Sequence, residues 1–184
     1  LNSSDEGGAA ESESAWGFIS GIGDHMYVRY RNFNTSNSSC IMASRIALDN
    51  KNHTAENRTR WYNLTADEPR QIKSLYTTID DTLIATQCFE PVGNLTRNYT
   101  IIHTDGHCAV VIVHHELKAA VNCKNACEMW VRQDSVDGWN TTCDEVYKAE
   151  CGNRMTAVYQ KTYCDKILEK IHNETKEEKP SNKC

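Results

Sequence analysis

Asn98-Tyr-Thr-Ile-Ile-His-Thr-Asp105-Gly106-His-Cys-Ala-Val-Val-Ile-Val-His-His115 places two β-branched, apolar runs on either side of an Asp-Gly pair. Residues 98–104 and 107–115 therefore read as antiparallel neighbours. Asp105-Gly106 suits the two-residue type I′ turn, which needs positive φ at both central positions. Outward from this hairpin, residues 25–33 alternate, with Met26, Val28 and Tyr30 on one face and Tyr27, Arg29 and Arg31 on the other. Residues 40–48 alternate likewise, with Cys40, Met42, Ser44, Ile46 and Leu48 sharing a face. Residues 58–64, 72–79, 82–87 and 127–132 add four more strands, most of them bounded by Asn-, Asp-, Pro- or Glu-rich breaks. Eight strands on short turns predict an eight-stranded antiparallel up-and-down barrel.

The period then changes. Thr142-Cys-Asp-Glu145 fits a capping box, and Gly152-Asn153 supplies a stop. Met155, Val158, Tyr159, Tyr163, Ile167, Leu168 and Ile171 recur at helical spacing, which predicts a helix from Met155 onward. Residues 1–14 and 173–184 offer little to bury. The expected organisation is one domain over 15–172, between a disordered N-terminal segment and a charged C-terminal tail.

Acidic residues outnumber basic ones by 25 to 20, so no positive stripe is on offer to a nucleic-acid backbone. The longest apolar run, residues 109–113, is strand-sized and far short of a membrane span. No charged start with an apolar signal core is present at Leu1, so any secretory signal is expected to have been removed or omitted. Two other features point to secretion. Asn-x-Ser/Thr occurs at Asn2, Asn34, Asn37, Asn52, Asn57, Asn63, Asn94, Asn98, Asn140 and Asn173. With 16 asparagines and 28 Ser or Thr among 184 residues, chance gives roughly two to three acceptors. Nine cysteines without paired C-x2-C knuckles indicate a disulfide framework rather than a zinc site.

From Met26-Tyr-Val-Arg-Tyr-Arg-Asn-Phe33, Cys108-Ala-Val-Val-Ile-Val, Cys127-Glu-Met-Trp-Val131 and Cys143-x3-Tyr147-x3-Cys151, the chain resembles the tick salivary lipocalins of the histamine-binding protein family. The resemblance runs from about residue 15 to 170, and its most specific part is residues 108–164. It implies a lipocalin barrel with a C-terminal helix, and three bridges: Cys40 with Cys164, Cys108 with Cys143, and Cys127 with Cys151. Cys88, Cys123 and Cys184 remain, with one further pair expected among them. A rival pairing sets Cys184 against Cys40.

The resemblance also implies function: a secreted, non-catalytic protein that sequesters a small host mediator, either a biogenic amine such as histamine or serotonin, or a lipid such as a leukotriene or sterol. The alternative is an immunomodulatory lipocalin that binds complement components or host immune cells. Alternation puts Glu128 and Trp130 on one face of their strand, with Met129 and Val131 on the face toward the C-terminal helix. A carboxylate beside an indole suits a small cation, against the competing reading of a strand-end glutamate that merely reaches solvent. Tyr27, Tyr30 and Trp61 are the further expected pocket residues. Amine-binding members of the family carry Asp directly after the cysteine matching Cys108, whereas this chain has Ala109, which weakens the case for a doubly charged amine. Trp16, Tyr62, Tyr76 and Tyr99 could add aromatic wall, and Arg29, Arg31, Arg58 or Arg60 could meet a fatty-acid carboxylate. His103, His107, His114, His115 and Glu116 form a weak metal hypothesis, because adjacent His114 and His115 face opposite sides of a strand. No cofactor or metal is expected. No nucleophile elbow, phosphate loop or His-Glu-x-x-His is present.

Overall fold

The computed structural model describes residues 14–23, 25–33, 37–89, 93–115, 125–132 and 142–174. The expectations for residues 1–13 and 175–184, for Asn2, Asn34, Asn140, Glu116, Cys123 and Cys184, and for the side chains of Cys88 and Asn173, lie outside that description. The chain runs α1 (Ala15–Ser20), β1 (Met26–Arg31), β2 (Ser38–Asp49), β3 (Thr54–Asn63), β4 (Glu68–Ile79), β5 (Thr82–Phe89), β6 (Gly93–Thr104), β7 (Cys108–Val113), β8 (Cys127–Arg132), α2 (Thr142–Cys151), β9 (Thr156–Ala157) and α3 (Lys161–Glu174). Strands β2 to β8 pair in chain order, β8 pairs with β1, and β1 returns to β2, so the eight antiparallel strands close into a barrel. This is the lipocalin plan, with α3 as its C-terminal helix. No helix among the described residues is long and apolar enough to cross a membrane.

Closure between β1 and β2 is narrow. Among the described residues the two strands pair directly at Met26 with Ala43 and Tyr27 with Met42. Beyond that they part, and β9 pairs with β1 at Tyr30 and Arg31. Next to it, Val158 N donates to Arg29 O at 2.9 Å, while Cys40 N donates to Val158 O at 2.9 Å. This overturns the helix expected from Met155: residues 156–157 are extended because the parting strands offer backbone partners there, and the helix starts at Lys161. α2 begins at Thr142, whose hydroxyl donates to Asp105 Oδ2 at 3.1 Å and so ties the helix start to the β6–β7 turn.

The hairpin around Asp105-Gly106 forms, but not on a two-residue turn. Asp105, Gly106 and His107 lie between β6 and β7, only Gly106 has positive φ (85°), and Asp105 N donates to Cys108 O at 3.3 Å. Asp105 Oδ1 accepts from His107 N at 2.9 Å and Cys108 N at 3.0 Å, an Asx-type closure that substitutes for the primed turn.

Two apolar bodies flank the barrel wall. Inside, Met26, Val28, Leu83, Ile101 and Val111 meet Phe18, Ile19 and Ile22, so the α1 segment seals one end as a floor. Arg132 Nη2 fixes that floor by donating to Gly17 O and Phe18 O, both at 3.1 Å. Outside, Tyr27, Met42, Val110, Met129 and Val131 pack with Tyr147 and Tyr159 around three disulfides. These are Cys40–Cys164, Cys108–Cys143 and Cys127–Cys151, the pairs the resemblance implied. Buried Asn32 ties the same region together: its Nδ2 donates to Asn125 O at 2.7 Å and Cys151 O at 2.9 Å, and its Oδ1 accepts from Cys127 N at 2.8 Å.

Candidate functional site

Opposite the floor the barrel is hollow. A cavity of about 650 Å³ is walled by inward side chains of β1 to β6 and β8 and reaches the rim at Asn37, Asn63, Thr65 and His115. Strand alternation decides its lining. In β8 the register with β7 and β1 turns Glu128 and Trp130 inward and leaves Met129 and Val131 against the helices. Trp130 Nε1 donates to Glu128 Oε2 at 2.8 Å, and the indole meets the Tyr99 ring edge-on with centroids 5.5 Å apart. Tyr76 approaches from β4. Burial raises its hydroxyl pKa, a hydrogen bond with Thr59 opposes the rise, and the Glu128 charge adds to it. Glu128, Trp130, Tyr76 and Thr59 thus make one polar cluster in the wall.

A bulge in β1 decides which arginine joins them. Met26 and Val28 line the cavity, but the register shifts between Val28 and Tyr30, so that Arg31 and Phe33 follow them inward. Arg31 lies opposite Glu128 in the β1–β8 ladder, donates through Nη2 to Ser38 O, and sits 5.7 Å from the Phe33 ring centroid. On β6, Arg97 Nη1 donates to His115 Nε2 at 2.9 Å. A guanidinium has no lone pair to offer, so the imidazole nitrogen is the acceptor and the ring in this contact is neutral. Among the described residues the lining therefore carries two guanidiniums and one carboxylate.

Of the five expected pocket residues, Glu128, Trp130 and Trp61 come together in the cavity. Tyr27 and Tyr30 do not. Tyr27 packs against Tyr159 with ring centroids 4.2 Å apart, and the bulge sends Tyr30 to the same outer cluster, where Arg29 lies 5.0 Å from its ring centroid. Arg58, Arg60 and Tyr62 alternate to the outer face of β3, and Tyr62 donates to Asp67 at 2.5 Å. Trp16 stacks on His53 with centroids 4.9 Å apart. Tyr76 and Tyr99 do reach the lining. Arg97 and Gln87 escaped the sequence reading. The residues before Asn98 are polar and gave no apolar alternation, yet Arg97 lies two positions before Tyr99 on the same strand and so shares its face.

Ala109 is buried inside the barrel and lies opposite Trp130, so an acid at this position would have pointed inward. The histidines disperse: His103 contacts Thr142 at 2.9 Å, His114 contacts Thr100 at 2.7 Å, and His115 contacts Arg97. The one group of three possible metal ligands among the described residues is Asp105, Cys108 and Cys143, and those two sulfurs are joined in a disulfide.

Comparison with known proteins adds to this geometry. AM182, solved as a serotonin complex, is similar with a TM-score of 0.60 and 15% identity over 82% of this chain and 92% of that one. The cockroach allergen Per a 4 follows with a TM-score of 0.53, 13% identity, and 80% and 90% of the two chains. The amine-binding protein of Rhodnius prolixus, solved with tryptamine, gives a TM-score of 0.50, 11% identity, and 80% and 87%. At such identities these likenesses speak for the fold. No curated protein sequence matches the chain. The family model described as tick histamine binding protein matches residues 3–166, and the chain therefore belongs to the tick histamine-binding protein family.

Proposed function

We propose that the chain is a secreted salivary lipocalin that takes a small host inflammatory mediator into its barrel and keeps it from its receptors. The observation that carries this reading is the cavity itself: about 650 Å³, with aromatic side chains such as Trp61, Tyr76, Tyr99 and Trp130 beside convergent polar groups, within the range that encloses drug-sized ligands. Its action is stoichiometric, so affinity and secreted amount set potency.

The charge of the lining favours an amphiphile with an acidic head, such as a leukotriene-type fatty acid. Arg97, held by a neutral imidazole, faces the cavity near its mouth, and Arg31 adds a second guanidinium. A guanidinium fork matches a carboxylate. Trp61, Ile72, Tyr76 and Ile41 would flank the hydrocarbon chain.

A second reading rests on the Glu128–Trp130 pair, which would hold a singly charged arylethylamine like those in the complexes of the structural neighbours. Arg31 opposite Glu128 and the absence of an acid at Ala109 work against a dication. Calorimetric titration with a leukotriene, cholesterol, serotonin and histamine separates the two. Tight binding of the leukotriene with none of the amines supports the first reading, and the reverse order supports the second. If none binds while complement components or other plasma proteins co-purify, the protein-binding alternative replaces both.

A further inference from the structure

The Asn-x-Ser/Thr acceptors are equivalent as sequence, but the barrel separates them. β3 carries two, Asn57 and Asn63, on the face it shares with Ala55, Thr59 and Trp61. Asn57 is enclosed. It is 1% exposed, its Nδ2 donates to Ala55 O at 3.3 Å, and its Oδ1 has no partner among the described residues. Its ladder neighbour Ser74 is buried as well. A sugar on that nitrogen would have to fill the interior or break the wall.

Asn63 ends the same strand at the cavity mouth. Its Oδ1 accepts from Thr65 N and Ala66 N, both at 3.0 Å, an Asx turn that leaves the amide nitrogen outside the turn. Asparagine and hydroxyl residue of this acceptor both line the mouth. Across the ladder, Ser38 faces Asn63, and Leu64 N donates to Asn37 O at 2.7 Å. Asn37, exposed and also at the mouth, is a second acceptor in the same sector of the rim. We propose that Asn63, with Asn37 beside it, carries an N-glycan that stands over the mouth and screens traffic into the cavity, and that Asn57 carries none.

A glycan is added before the barrel closes, so a chain occupied at Asn57 would be lost from the folded, secreted pool. A glycan at Asn63 hangs from the rim instead. There it would hinder bulky molecules and slow small ones in both directions without touching the inner wall. The inference depends on passage through the secretory route and not on which ligand is bound.

The test uses the full chain secreted from insect cells. Proteolysis and release of glycans by peptide N-glycosidase A in ¹⁸O-water, which also cleaves the α1,3-fucosylated cores that insect cells make, followed by peptide mass spectrometry, should label Asn63 and leave Asn57 unlabelled. Label at Asn57, or none at Asn63, overturns the assignment. Screening is read by stopped-flow fluorescence with 8-anilinonaphthalene-1-sulfonate, an aromatic anion suited to this lining. N63Q and T65A remove the same sugar, and T65A keeps the Asn63 side chain for its turn. Both variants should raise the association and dissociation rates severalfold. Rates equal to the parent in both overturn the screening role. If the dye enters neither the parent nor the deglycosylated protein, the open-cavity reading of function fails, while glycan placement is still decided by the peptide map.

Discussion

Arg97 and Glu128 face one cavity with opposite charges, so single substitutions separate the two ligand chemistries. Arg97→Met keeps much of the aliphatic stem and removes the fork. It should weaken an acidic amphiphile by about tenfold or more, about 1.4 kcal/mol, by calorimetry. Glu128→Gln should weaken an arylethylamine by about tenfold and leave the acid unchanged or slightly tighter; unaltered amine affinity would remove Glu128 from that role. Asp105 makes a prediction of another kind. Burial alone would raise its carboxyl pKa, but bonds from the His107 and Cys108 backbone and the Thr142 hydroxyl hold it below the ordinary carboxylate range. A lowered folded pKa favours the anion, so this contribution is present at neutral pH and disappears as pH falls through the folded value. Asp105→Asn should therefore lower the urea midpoint at pH ~7, by a margin that shrinks as pH falls below the ordinary carboxylate range. A gap that stays the same as pH falls would show that charge is not the cause.

At the scale of elements, alternation made the strands legible and bulges hid part of the site. Glu128, Trp130 and Trp61 sit on regular stretches, and period two assigns their direction correctly. Tyr30 and Arg31 lie beyond the β1 bulge, where one extra residue exchanges the faces. No side-chain pattern announces that step. The α1 floor was also missed, because Ala15–Ser20 is too short to show a period, and so was β9, whose hydrogen bonds lie with distant strands. The disulfides pin these irregular parts. Removing Cys127–Cys151 as the double alanine variant should cost about 2–5 kcal/mol in urea unfolding. The loss should be largest around β8 and α2, which that bridge and Asn32 join. A loss well under 1 kcal/mol would mean that the buried Asn32 bonds hold the region by themselves.

For the molecule as a whole, closure and capacity were readable from sequence, whereas the sign of the interior was not. It depends on Arg31 and Arg97 being turned inward by register. Occupation of the barrel should stabilise the whole fold. A ligand at about 100 times its Kd adds about 2.7 kcal/mol, seen as a concentration-dependent rise in melting temperature.

The α1 plug makes the barrel a dead end. Gly21 permits the Arg132 clamp on it, since a Cβ at Gly21 would lie 2.9 Å from the Gly17 carbonyl oxygen and closer still to the guanidinium. A tube open at both ends can be flushed, but a blind one fills and empties through the same aperture. A guest at the bottom cannot leave before whatever sits above it, and a chain longer than the well must trail its tail into water. Retention would then be set at the brim as much as by the contacts below.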